Sequence, residues 1–223
     1  MRRRLPETAE YNSLPMRNSN PLKHSLIYQK KDYLKALGII ILPASSFYFI
    51  FVFLPNNLNS SLGYSSSKIL GDNAFSLAIR LCIIPLIGLI ADRVGGLRVA
   101  NFSSWLFFLL TMPLIYIIYN YPVYLEISIL SLALLTTLSA ATTPGILVKL
   151  LPGNTRSSVL SVSFNVGFGI FGGLTPIICQ ELFNSFDCLL PALFITGIAG
   201  IGIIATSFCK KEFIDVRVHE NYR

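Results

Sequence analysis

Charged residues are scarce in this chain: Asp, Glu, Lys and Arg make up 13% of its 223 residues, too few to cover a water-soluble surface of that size. Histidine is nearly absent, and both copies, His24 and His219, lie in polar tails. No GxSxG, HExxH or phosphate-loop motif occurs, so hydrolytic, metalloprotease and nucleotide-driven chemistry lack their residues and an enzyme is not expected. The four cysteines, Cys82, Cys179, Cys188 and Cys209, have no metal-ligand spacing. Cys179 and Cys188 are near enough in sequence to meet, but inert thiols are the expected state, and neither metal nor cofactor is expected. No cleavable leader is expected, because Met1-Arg-Arg-Arg runs into Leu-Pro-Glu-Thr instead of an apolar core.

What the chain has in abundance is apolar length. Hydrophobic residues make up 53% of it, the mean hydropathy is +0.62, and runs of about 20 residues can each cross a hydrocarbon core roughly 30 Å thick. Six runs qualify, at 34–54, 73–91, 99–119, 123–148, 159–182 and 189–208. They must be helices, because an open sheet edge cannot be satisfied in lipid. The expected fold is therefore an all-α, six-helix membrane bundle, with a polar N-terminal segment at 1–33, the bundle at 34–208 and a short tail at 209–223.

The basic residues orient it. An even number of crossings puts both tails on one side. With the tails go the turns carrying Arg93 and Arg98, then Lys149 and Arg156, so that side holds 16 of the 18 Lys and Arg. Lys68 stands on the other side and Arg80 inside a span. The positive-inside rule makes both termini cytoplasmic, and the net charge of +7 is topogenic instead of a nucleic-acid surface. The partner implied throughout is a lipid bilayer, and a bacterial inner membrane is the expected location.

Between the first two spans, residues 55–72 are rich in Asn, Ser and Gly and read as a loop. Pro43, Pro85, Pro113, Pro144 and Pro176 lie within spans and Pro191 at the start of the sixth; each removes a backbone donor and favours a kink. The fifth span is glycine-rich. Gly169 and Gly173 form a GxxxG pair suited to close helix packing, with Gly167 beside them. Gly167-Phe-Gly169-Ile-Phe-Gly172 also spells a dinucleotide fingerprint. No strand precedes it, so the match is spurious.

Arg80 is the outstanding polar residue. A cation inside a span costs about 2.5–3.5 kcal/mol on insertion scales, so a cavity, a partner or an interface must receive it. Binding of a substrate carboxylate is the functional reading; snorkelling to the outer interface or a structural ion pair are the alternatives. Asn165, with Ser161, Ser163 and Thr175, offers a polar lining in the fifth span, and Tyr48 and Phe49 an aromatic one in the first. Glu126 and Glu181, at span ends, read as solvated caps. In Gly88-Leu-Ile-Ala-Asp92-Arg93-Val-Gly95, the Asp-Arg pair belongs at a membrane surface, where Asp92 is placed to cap a neighbouring helix N-terminus as a gate.

That Gly88–Gly95 turn resembles the G-x-x-x-D-[RK]-x-G repeat of the major facilitator superfamily. The run Leu151-Pro152-Gly-Asn-Thr-Arg156, with Ser163-Phe-Asn165-Val-Gly167 and Phe171-Gly172-Gly173-Leu-Thr-Pro176, is similar to the P-x-x-x-R…Y-N-x-G…F-G-G-x-x-P block of its metabolite–proton symporters. The opening Met1-Arg-Arg-Arg-Leu-Pro-Glu-Thr resembles their central cytoplasmic loop. Gly96-Leu97, Lys149 and Phe164 depart from the pattern.

The resemblance implies the C-terminal six-helix half of a twelve-helix transporter of proline/betaine type. Such a half moves a small osmolyte or carboxylate with protons and needs an N-terminal half, supplied by another chain or by homodimerisation. Substrate contacts would fall to Arg80, Asn165 and Tyr48, and gating to Gly88, Asp92, Arg93, Gly95 and Arg156. The other reading is a truncated remnant that inserts without transporting, or a membrane interaction module.

Overall fold

The computed structural model describes residues 29–153, 155–185 and 187–221. Among these there is no strand, and six helices are long and apolar enough to cross a membrane: α1 (Lys30–Ser61), α2 (Ser66–Val94), α3 (Gly96–Asn120), α4 (Pro122–Leu150), α5 (Arg156–Ser185) and α6 (Leu190–Cys209). The chain is an all-α six-helix membrane bundle. Helix continues beyond α6 as far as Asn221. The tail residues before Gln29, with Arg2, Arg3, Arg4, Arg17 and Lys23, lie outside the described part.

The bundle is organised around α1. It packs against α4, α5 and α6 and meets the start of α2 at its far end. As a result 67% of its apolar window is buried, against 17% for α2 and 28% for α5, which form the two edges. Helix α3 fills the back between α4 and α6. The main core joins Leu42, Phe49, Ile50 and Leu54 of α1 to Phe107 and Ile115 of α3, Leu132 of α4 and Ile195 of α6. Leu81, Phe102, Leu109 and Phe208 point outward, as apolar side chains facing lipid do.

Small residues set the closest approaches. A Cβ on Gly38 would lie 2.7 Å from that of Ala205, and one on Gly202 would lie 3.1 Å from Ser104 Oγ, so α6 lies tight against both α1 and α3. Buried hydroxyls return to their own helix: Thr136 Oγ1 donates to Leu132 O at 3.1 Å and Thr196 Oγ1 to Ala192 O at 2.9 Å. Others cross between helices. Ser103 Oγ donates to Leu135 O at 3.2 Å, and Asn101 Nδ2 to Thr206 Oγ1 at 2.8 Å, which stitches α3 to both neighbours.

The Asn/Ser-rich stretch is not the long loop expected. Helix continues from α1 through Pro55 to Leu62, and only Gly63, Tyr64 and Ser65 separate that end from α2. The polar side chains that suggest a loop serve the helix ends. Asn57 is buried and accepts from the Tyr119 hydroxyl; Asn59 Nδ2 donates to Tyr64 O at 2.8 Å and Ser66 Oγ at 2.9 Å; Ser65 Oγ caps Lys68 N. Gly63, at φ 67°, makes the turn.

Two spans widen into π-helix, at Phe49–Phe53 and Asn165–Gly172. Each widened segment contains the carbonyl that a proline four residues later cannot bond: Phe51 for Pro55 and Gly172 for Pro176. An extra residue in the turn relieves the ring clash and redistributes the hydrogen bonds. Helices α2, α3 and α4 remain α-helical through Pro85, Pro113 and Pro144.

Candidate functional site

Arg80 is the fifteenth of the 29 residues Ser66–Val94, so it lies at the middle of its helix. At 1.5 Å per residue each helix end is roughly 20 Å away, and snorkelling toward the nearer interface is the alternative use of so long a side chain. The guanidinium instead turns inward against α1. Its Cζ lies 5.0 Å from the ring centroid of Phe47 and 5.6 Å from that of Phe51. The two rings are 5.0 Å apart, tilted by 40°, on one face of α1. Nη1 is buried without a hydrogen-bond partner, and no carboxylate pairs with Arg80 among the described residues. A half-buried, cation–π-held guanidinium with one buried donor to spare is a ready receptor for an anion.

Tyr48 belongs to the same cluster. Its ring meets Phe47 edge-on at 5.7 Å and lies against Gly172, where a Cβ would come within 2.7 Å of Cδ2. Phe49 does not belong: it is 1% exposed and stacks on Phe53 in the core. Phe47 and Phe51 were not singled out from sequence; their i, i+4 spacing beside Tyr48 is the signal that would have found them. Asn73, two turns before Arg80, donates through Nδ2 to Phe51 O at 3.2 Å, which satisfies the carbonyl that Pro55 leaves unbonded.

Asn165 stands apart. Helices α1 and α5 run parallel, with Gly172 at the level of Tyr48 and Gly167 at the level of Ile40. Asn165 is therefore seven residues along α5, roughly 10 Å at 1.5 Å per residue, from the level of Tyr48. It is exposed, and its Nδ2 donates to Ser161 O at 2.7 Å. The hydroxyls of α5 make no common lining: Thr175 donates to Phe171 O at 2.7 Å, while Ser163 Oγ is buried without a partner.

The close glycine contacts also differ from expectation. Within the bundle a Cβ at Gly169 or Gly173 would meet nothing within 4 Å, whereas one at Gly167 would overlap Ile40 and one at Gly172 would strike Tyr48. The π-helical segment explains this, because it brings residues five apart onto one face.

At the basic end, the turn between α2 and α3 rests on Gly95, whose φ of 105° is open only to glycine. Gly88 makes no close approach, while Gly96 lies against Ile146. A cleft of about 600 Å³ opens there, with Asp92, Arg93, Arg98 and Lys149 around a floor of Gly145 and Ile146. Asp92 and Arg93 are exposed, and neither has a hydrogen bond or ion pair among the described residues, so Asp92 caps no helix within this bundle. Arg156 does a local job: its Nε donates to Leu151 O at 3.2 Å, at the C-terminal end of α4. Thr155 donates to Gln29 Oε1, tying the start of α5 to that of α1. At the other end Glu126 pairs with Lys68 at 3.3 Å and Glu181 accepts from Ser185 Oγ at 3.4 Å, both as exposed caps.

The chain is 28% identical over 184 residues to the glycine betaine/proline/ectoine/pipecolic acid transporter OusA of Dickeya dadantii, a match covering 81% of this chain and 36% of that protein. It is 28% identical over 185 residues to the proline/betaine transporter of Salmonella typhimurium, covering 82% and 36%. With a putative proline/betaine transporter of Staphylococcus aureus it shares 26% over 215 residues, covering 93% and 46%. The matched region thus spans less than half the length of these relatives. No family profile and no solved structure matches.

Proposed function

We propose that this chain is the C-terminal six-helix half of a major-facilitator-type secondary transporter for a small osmolyte, acting with a second six-helix half. The observation that carries the reading is Arg80: a lone cation at mid-span, braced on two aromatic rings, with a buried donor free for a substrate carboxylate. A charge in that position costs about 2.5–3.5 kcal/mol on insertion scales, which is why such residues mark functional sites. Relatives named for proline, betaine and ectoine, all solutes bearing a carboxylate, point to the same ligand chemistry. The low burial of α2 and α5, the edges that flank α1, fits a bundle whose front meets another half.

On this reading residues 1–33 form a cytoplasmic lead-in, 34–208 the bundle and 209–223 a cytoplasmic tail, in a bacterial inner membrane. Arg80 and Tyr48 contact the solute. Asp92, unpartnered here, and Arg93 meet the second half across the basic cleft, with Gly88, Gly95 and Arg156 shaping the turns around it. Asn165 lines the path nearer the basic end. Coupling to protons is the mode that the resemblance supplies.

Uptake of labelled proline and glycine betaine tests this, in cells lacking their own osmolyte porters and co-expressing the chain with the N-terminal half of a relative. Uptake should need both halves and vanish in Arg80→Gln with the amount of membrane-inserted protein unchanged. Undiminished uptake by Arg80→Gln rejects Arg80 as the contact. Silence with every partner half, or with the chain as a homodimer, leaves a membrane interaction module that does not transport.

A further inference from the structure

The carboxylate reading of Arg80 does not by itself explain why its guanidinium lies over Phe47 and Phe51. Two π faces under one cation are a cation site that is already filled. When a substrate carboxylate binds, the planar donor fork must turn toward it, and part of the contact with the rings is lost. A purely anionic ligand leaves those faces without a positive charge. A zwitterion brings one of its own.

We infer that Phe47 and Phe51 are the recognition face for the positive end of a zwitterionic solute, and that Arg80 holds this place while the site is empty. The inference rests on Arg80 as the carboxylate contact. It adds where the positive end of such a solute sits: on the two rings that the guanidinium covers in the empty site. The geometry suits the task. The rings tilt by 40° with centroids 5.0 Å apart, so they offer one shallow concave face. Phe51 is 7% exposed and forms its floor, while half-buried Phe47 remains reachable. Tyr48 stands edge-on to Phe47 at 5.7 Å, adding a third ring to the wall. No protein carboxylate competes for the guanidinium among the described residues.

Glycine betaine and 3,3-dimethylbutyrate test this directly. They share shape and carboxylate and differ in a positively charged nitrogen against a neutral carbon. Saturation-transfer NMR, which registers weak binding, is applied to the full chain reconstituted in lipid nanodiscs with the same N-terminal half of a relative, and the ratio of the two affinities is the readout. In Phe47→Leu that ratio should fall about tenfold against betaine, the size of a desolvated cation–π contact, while the isostere stays within about twofold of wild type. Phe47→Tyr, which keeps the π face, should keep the ratio. An unchanged ratio in Phe47→Leu, or an equal loss of both ligands, overturns the inference and leaves Arg80 as a carboxylate site. If wild type binds neither ligand, or Arg80→Gln binds both as wild type does, the carboxylate reading itself falls.

Discussion

Asn73 illustrates what one amide does inside a membrane helix pair. Pro55 has no N–H to give to Phe51 O, and a bare carbonyl in an apolar span is costly. The Asn73 Nδ2 donor, 22 residues away, supplies the bond at 3.2 Å and so fixes α2 against the widened turn that carries Phe51. Asn73→Leu should lower stability by about 1 kcal/mol in detergent unfolding, and Pro55→Ala in the same chain should recover most of it by returning an N–H to that carbonyl. No recovery would mean that the amide acts through some other contact. Arg80 itself was legible in the sequence, because a lone charge in an apolar run identifies itself. Its aromatic support was not, because the rings come from another helix.

Among whole elements, the pairing of α1 with α5 depends on a local change of helical period. A 3.6-residue repeat puts Gly169 and Gly173 on one face and makes them the natural packing pair. The segment Asn165–Gly172 is π-helical, and the glycines that meet α1 are Gly167, against Ile40, and Gly172, against Tyr48. Pro176 is the sequence mark of that change, four residues beyond Gly172. Gly167→Ala should cost about 1–3 kcal/mol, and Ile40→Ala should relieve much of this in a double-mutant cycle, since the new Cβ overlaps the Ile40 side chain that the second change removes. Gly169→Ala and Gly173→Ala should change the stability of the isolated bundle by less than about 0.5 kcal/mol. Equal costs at all three positions would restore the regular α-helical register.

For the molecule as a whole, orientation is an electrostatic proposal that one thiol can test. Cys188 lies between α5 and α6, at the end of the bundle opposite the basic cleft. Burial, together with the hydrogen bond and charge of neighbouring Asp187, pushes its thiol up to about 11. The reactive thiolate is therefore rare at neutral pH. A membrane-impermeant maleimide on intact cells should label Cys188 slowly at pH 7, with the rate rising about tenfold per pH unit toward pH 10. Absence of labelling from outside at any pH, with labelling after the membrane is opened, would put both tails outside. Asp187→Asn should raise the rate near neutrality, because it removes the charge that opposes thiolate formation.

The six spans, the concentration of cations at one end, the glycine turn at Gly95 and the isolation of Arg80 were all determined by the sequence alone. Hydrophobic length and charge act locally, so each can be read where it stands. The tertiary structure alone decided which rings cover Arg80, which glycines let α5 reach α1, and that Asn165 lies at another depth from the cation it was grouped with. Lipid is as apolar as the bundle's own core, so apolar periodicity does not distinguish a face that meets lipid from one that meets a helix. The polar stretch after Pro55 misled for a related reason. Its asparagines satisfy a tyrosine and two helix ends that only folding brings beside them.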